Sequence, residues 1–167
     1  LYKKSQHLSI TDGLTGVYNH RYFQDQLEVE LSRAQRYDLN FGLIIFDLDN
    51  FKDINDTYGH LKGDDILRFV STHIKKILRE SDTVARYGGD EFVALLPETN
   101  KKDTIKVGER IRKSIQEKNN EKAIKLQVSV GVAAYPDDGV YGEDLVKKAD
   151  SALYKAKENG RNRTCAA

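Results

Sequence analysis

The run Phe41-Gly-Leu-Ile-Ile-Phe-Asp-Leu48 constrains this chain more than any other stretch. It is short, apolar but for Asp47 and rich in strand formers, so it suits a buried central strand rather than an edge. Everything else has to be arranged so that this strand is covered. Helical spacing supplies the covers. Phe23, Leu27, Leu31 and Ala34 make His20 to Tyr37 an amphipathic helix. Leu67, Val70, Ile74, Ile77 and Leu78 predict a second from about Asp64 to Arg79, after a polar stretch. Val107, Ile111 and Ile115 stripe a helix from about Lys101 to Lys118. Leu145, Ala149, Ala152, Leu153 and Ala156 stripe a last one from Glu143 to Glu158, with Gly160 as its stop.

The other strands are shorter. Thr83 to Tyr87 and Phe92 to Leu96 flank Gly88-Gly89-Asp90-Glu91, which reads as a tight hairpin, and Pro97 ends the second of them. Leu126, Val128, Val130 and Val132 alternate with Gln127, Ser129 and Gly131, as a half-buried strand does. Arg163 to Ala166 adds an edge strand. From the first strand the order is strand, helix, strand, strand, helix, strand. The expected class is therefore α+β, a ferredoxin-like βαββαβ core extended at both ends, with helices flanking a mainly antiparallel five-stranded sheet.

That topology has a chemical consequence. Right-handed crossovers leave a gap beside the first strand, and the third strand fills it antiparallel. The end of the first strand then meets the hairpin turn, so Asp47 should lie beside Asp90 and Glu91. Carboxylates gathered this way repel one another unless a cation sits among them. Oxygen donors without a Cys/His cluster select Mg²⁺ or Mn²⁺, which bind through one or two carboxylates and substrate phosphates. Two ions bridging the attacking and leaving oxygens suit in-line displacement at phosphorus. The plainer alternatives are that Asp47-Leu-Asp49 caps a helix or lies in a solvated turn, and that the glycines serve only the hairpin backbone.

Several segments, in order, resemble the GGDEF family of diguanylate cyclases. The signature is Arg86-Tyr-Gly-Gly-Asp-Glu-Phe92. Asp12-Gly-Leu-Thr-Gly-Val-Tyr-Asn19 is similar to the family's opening turn. Phe46-Asp-Leu-Asp-Asn-Phe-Lys-Asp-Ile-Asn-Asp-Thr-Tyr-Gly-His60 with Gly63-Asp64 is similar to its metal and guanine segment. Ala149-Asp150, Ala152-Leu153-Tyr154 and Ala156-Lys157-Glu-Asn-Gly-Arg-Asn162 are similar to its closing helix. The departures are Val17 for the usual leucine and His20 ahead of Arg21.

The resemblance implies a palm-like nucleotide cyclase that condenses two GTP into cyclic di-GMP and two pyrophosphates. Each 3′-hydroxyl would attack the partner's α-phosphate across a homodimer. Asp47, Asp90, Glu91 and the Leu48 carbonyl would hold metal, two ions per GTP, and Asp90 would be the essential acid near the attacking hydroxyl. Lys52 and the backbone around Asn50 and Phe51 would meet phosphates, with Lys157 and Arg161 on the triphosphate tail. Asn55, His60 and Asp64 would read guanine. Family members making mixed cyclic dinucleotides carry serine at the Asp64 position, so Asp64 argues for GTP on both sides. The plainer reading of Asp64 is a helix cap, and that of Lys157 and Arg161 is cations at a helix end. Gly88 and Gly89 form the hairpin turn. Arg79-Glu-Ser-Asp82 resembles an inhibitory product site, with Arg110 as a secondary contact.

Formal net charge is +1 from 27 basic and 26 acidic residues, which argues against a long nucleic acid but admits a single nucleotide. No apolar run approaches the roughly 20 residues of a membrane span, and Leu1 to His7 has no signal-peptide pattern. The domain is expected to be cytoplasmic. The chain contains no methionine, so an upstream sensor or a membrane anchor of the full-length protein is left open. Residues 1–10 are read as the end of a linker helix and 11–167 as the catalytic domain. The competing readings are a non-catalytic GTP- or cyclic di-GMP-sensing module, another palm-type nucleotidyltransferase, and a plain ferredoxin-like interaction domain.

Overall fold

The structure is a computed structural model and describes residues 10–118 and 124–167. The expectations for the first nine residues lie outside it. The elements run α1 (His20–Tyr37), β1 (Phe41–Leu48), α2 (Phe51–Tyr58), α3 (His60–Ile77), β2 (Thr83–Gly88), β3 (Glu91–Pro97), α4 (Lys101–Lys118), β4 (Val128–Tyr135), α5 (Gly142–Glu158) and β5 (Thr164–Ala166). The sheet has five strands in the order β2-β3-β1-β4-β5. Its first three pairings are antiparallel and β4–β5 is parallel. This is the α+β, ferredoxin-like arrangement with one added edge strand. No helix among the described residues is long and apolar enough to cross a membrane.

All eight residues of β1 are buried. Alternate side chains feed two cores. Ile44, Phe46 and Leu48 join α3 and α4 residues such as Val70, Ile74 and Ile111 on one face. Phe41, Leu43 and Ile45 join Phe23, Leu27 and Leu153 of α1 and α5 on the other.

Three expectations are corrected. The polar stretch after β1 is helical: α2 buries Ile54 alone, too little apolar periodicity to be read from the sequence. Next, α3 begins at His60 rather than Asp64 and ends at Ile77 rather than Arg79, so Asp64 sits inside the helix and caps nothing. Finally, β4 is not half-buried. It runs to Tyr135 and all but that last residue is buried. Ser129 and Gly131 looked solvent-facing because they are small or polar. Gly131 is small because α5 lies on it: a Cβ there would stand 2.2 Å from the Ala149 carbonyl oxygen and 2.4 Å from the Leu153 nitrogen, while Ser129 is buried and donates its hydroxyl to Asp49.

Candidate active site

The register of β1 builds the site. Asp47 is paired with Glu91 on one side and Ser129 on the other, and Asp90 stands in the two-residue turn just before Glu91. Residues over forty apart in sequence thus share one strand end. Asp47 is only 5% exposed. Its Oδ2 accepts the Lys157 ammonium, delivered by the last turn of α5, while its Oδ1 is buried without a hydrogen-bond partner. This is neither a helix cap nor a solvated turn. The residue preceding α2 is Asn50, in a left-handed conformation and with no side-chain capping bond, so its side chain leaves the amides of the helix's first turn uncapped.

Electrostatics follow from the crowding. Burial, then the charges of Asp90 and Asp49, push the Asp47 pKa up to about 6 against the pull of Lys157. Burial, with Asp150, Asp47 and Asp90 adding to it, pushes Glu91 to about 7. Burial opposes the Lys157 charge, yet Asp47, Asp90 and Glu91 outweigh it and hold the ammonium above its ordinary range. Both carboxyls therefore bind protons in the folded chain that they release when unfolded, between about pH 4 and 7. Proton uptake favours the folded state, so this pair makes stability fall as pH rises through that window. Thermal melts from pH 4 to 8 in chelator should show the loss, and Glu91→Gln should flatten the slope.

A cleft of about 300 Å³ opens here, lined by Asp47, Leu48, Asn50, Phe51, Lys52, Asp90, Lys157 and Arg161, together with Asp49 and Asp53. Eight residues singled out from the sequence thus meet in one place. Glu91 flanks Asp47 without lining the cleft. Asn55, His60 and Asp64 do not line it either; they stand on α2 and the start of α3. There Asn55 Oδ1 is buried and without a hydrogen-bond partner. It sits where a Cβ on Gly63 would come within 1.8 Å, so only glycine at that position leaves room for the amide. His60 is exposed. Arg161 lies beyond the helix in a left-handed conformation (φ 62°), not one turn along it from Lys157 as helical spacing suggests.

The donor set suits a hard divalent cation. The buried Asp47 Oδ1 without a hydrogen-bond partner, the nearby Asp90 carboxylate and the Leu48 carbonyl are oxygen donors of the kind that would hold such an ion. Among the described residues no three carboxylate, imidazole or thiol groups form a closed cage, and the ammonium of Lys157 meets the positive-charge demand of Asp47.

The hairpin glycines are not explained by the backbone. Neither Gly88 nor Gly89 has a positive φ in the left-handed range, and a Cβ on either would meet nothing within 4 Å. Both are exposed, and the turn presents its backbone bare to the outside of the chain. The turn is held from the opening segment. Arg86 Nε donates to the Gly89 carbonyl at 2.9 Å, and its Nη1 reaches Asp12 at 3.4 Å. Burial opposes the Asp12 charge, but Thr15 and Arg86 hold its carboxyl below the ordinary range.

Arg79 and Asp82 form a closed turn rather than a helix end. The Arg79 guanidinium bonds Asp82 Oδ1 (3.1 Å), the Pro97 carbonyl (3.0 Å) and Thr99 Oγ1 (2.9 Å). They line a cleft of about 310 Å³ with Lys75 and Val84. Arg110 lines a different one, with Lys106 and Lys113, so the structure does not bring the three together.

Two residues were missed. Asp49 is 6% exposed and bonded at both oxygens, and Asp150 adds to the field on Glu91. The spacing Asp47-x-Asp49 was the available signal for the first; Asp150 lies about two helical turns before Lys157.

The model of the family described as "Diguanylate cyclase, GGDEF domain" matches residues 9–163. The chain belongs to the GGDEF family. This GGDEF domain is 46% identical over 125 residues to Diguanylate cyclase A of Treponema denticola, covering 73% of the domain and 34% of that protein. It is 38% identical over 170 residues to YhcK of Bacillus subtilis, covering 99% of the domain and 47% of that protein. The domain therefore spans half or less of these relatives' length. The coiled coil and GGDEF domain of DgcB from Caulobacter crescentus, solved in complex with c-di-GMP, superposes with a TM-score of 0.92. That match has 31% identity and covers 99% of the domain and 90% of that chain.

Proposed function

We propose that this GGDEF domain is a diguanylate cyclase that condenses two GTP into cyclic di-GMP, with residues 11–167 as the catalytic unit. One observation carries the reading: a single cleft joins carboxylates, helix-start amides and three cations (Lys52, Lys157 and Arg161) from distant parts of the chain. Acids alone would bind only metal, and cations alone only an anion. Together they suit a metal-bound nucleoside triphosphate.

In this reading Asp47, the Leu48 carbonyl, Asp90 and Glu91 hold Mg²⁺ or Mn²⁺, which when bound neutralises phosphate charge and favours ionisation of the attacking hydroxyl. Asp90, half-buried in the turn of the hairpin, lies where a 3′-hydroxyl approaches and accepts its proton. The amides of Asn50 to Lys52, with the Lys52 ammonium, stabilise charge on the reacting phosphate. Lys157, now paired with Asp47, and Arg161 would hold the triphosphate tail, and a bound divalent cation would meet the charge of Asp47 in place of the ammonium. Asn55 Oδ1 and the Asp64 carboxylate accept the N1–H and 2-amino protons of guanine, which adenine lacks. His60 borders the base.

One cleft holds one GTP, so two phosphodiester bonds require two domains face to face. Association then supplies the orientation that the chemistry needs. Incubation with GTP and Mg²⁺ should yield cyclic di-GMP and pyrophosphate, at a rate that rises more steeply than linearly with domain concentration. A strictly linear rate would remove the homodimer. GTP binding without product would leave a sensing module. Product returning to Arg79 and Asp82, with Arg110 reached only from a second face of the ligand, would give inhibition. Replacing Arg79 by alanine is expected to relieve that inhibition in progress curves.

A further inference from the structure

We infer that Asp49 is a positioning residue whose buried carboxylate clamps the turn after α5 so that Arg161 faces the cleft as an anion grip. The turn is an unfavourable piece of backbone. Gly160, Arg161 and Asn162 have φ of 115°, 62° and 44°, and the last two are not glycine. Successive left-handed residues of this kind cost about 1–3 kcal/mol each and persist only where surroundings hold them. Asp49 is the side chain that holds it to the sheet. Its Oδ2 accepts the Asn162 backbone N–H at 3.0 Å. Its Oδ1 accepts the Ser129 hydroxyl at 2.6 Å, deep in the sheet. Its own N–H donates to the Gln127 carbonyl at 2.8 Å. Asp49 thus rivets three chain segments: the end of β1, the entry of β4 and the turn that carries Arg161.

The backbone ties the turn as well, with the Val130 N–H donating to the Arg163 carbonyl at 3.0 Å and the Arg161 N–H to the Ala156 carbonyl at 2.9 Å, and Asp49 adds the side-chain bond to the Asn162 amide. Arg112 reaches the Asn162 side chain at 3.2 Å, and Arg163 folds back on the Arg161 carbonyl at 3.0 Å. Those contacts steady the turn from outside, while Asp49 fixes it against the floor of the cleft that Arg161 lines. A carboxylate is an odd choice beside an anion site, because its charge repels the ligand. The geometry makes it intelligible: two acceptor oxygens in one plane are needed, one for a hydroxyl and one for an amide.

That oddity gives the test its sign. By Coulomb's law alone, deleting Asp49 should tighten the binding of an anion in this cleft. A positioning role requires the reverse for Asp49→Ala, which frees the turn. Asp49→Asn should rescue, since its carbonyl still accepts from Asn162 while its amide donates to Ser129 and the repulsive charge is gone. The probe is inorganic tripolyphosphate, measured by calorimetry on the intact chain, with GTP as a separate titrant.

We expect Asp49→Ala to bind tripolyphosphate about tenfold more weakly, the worth of a charge-assisted contact. Asp49→Asn should bind as wild type or better. In an Arg161→Ala background, Asp49→Ala should cost nothing further. Tighter or unchanged binding by Asp49→Ala, additive losses in the double variant, or no tripolyphosphate binding by wild type would each overturn the inference. Should Asp49→Ala not fold, Ser129→Ala carries the test, with a loss of about threefold expected and no change overturning. The inference rests on the cyclase reading only for the natural ligand. Wild type that binds tripolyphosphate but not GTP would sink that reading and leave the clamp standing.

Discussion

Asp90→Ala should make cyclic di-GMP about 10²–10⁴ times more slowly than wild type, the usual worth of a positioned acid–base group, while melting at the same temperature. The two halves of this expectation have different origins. Asp90 occupies a two-residue turn and is half-buried, outside the ladder that pairs β3 with β1. Removing its side chain costs the fold little, and it relieves repulsion on Asp47 and Glu91, both of which its charge pushes up. Both groups should then ionise at lower pH, so the variant should bind Mg²⁺·GTP without turning it over. Initial rates and melting curves on the same preparations check it. A variant that keeps wild-type turnover would remove Asp90 from the chemistry. One that melts far lower would mean that the turn acid is structural.

The second large effect is on stability. Gly131→Ala is expected to cost about 3 kcal/mol or more, at the upper end of overpacking penalties, lowering Tm by roughly 6–12 °C for a chain of this size. A new Cβ there meets backbone atoms of α5 at 2.2 and 2.4 Å, and backbone cannot rotate away as a side chain tip can. The helix has to lift off β4, and it carries Lys157 with it. Gly89→Ala is the comparison. Its Cβ enters open space, so Tm should hold within experimental scatter. Equal melting of the two variants would show that the α5 contact is looser than the distances imply.

The ferredoxin-like order was legible because its signals are strong and local: an apolar octet, clean helical stripes and a hairpin between two short strands. From the order alone the meeting of Asp47 with Glu91 follows, since register propagates along an antiparallel pair. What escaped reading was whatever depends on close packing or on weak periodicity. Gly131 and Ser129 looked like the wet side of a strand, and a helix pressed on them leaves the same pattern. The eight residues of α2 bury one side chain, so no stripe announces them. Asp64 and Arg161 were placed by assumed helix ends, and boundaries are where tertiary contacts outvote local preference. The role of Asp49 was invisible for another reason. Its partners, Ser129 and Asn162, lie 80 and 113 residues away, and no local rule reaches that far.

The sheet order also bears on how such a chain is made. On a ribosome β1 emerges first among the strands, yet its two neighbours are the third and fourth, and the later of them ends at Tyr135. Until then the nascent polypeptide holds an eight-residue segment, apolar but for Asp47, with one hydrogen-bonding edge bare even after β3 has been made. Late long-range pairing of this kind slows folding and leaves strands prone to self-association. Synthesis of this domain should therefore lean on holding chaperones, and cells short of them should collect it in inclusion bodies.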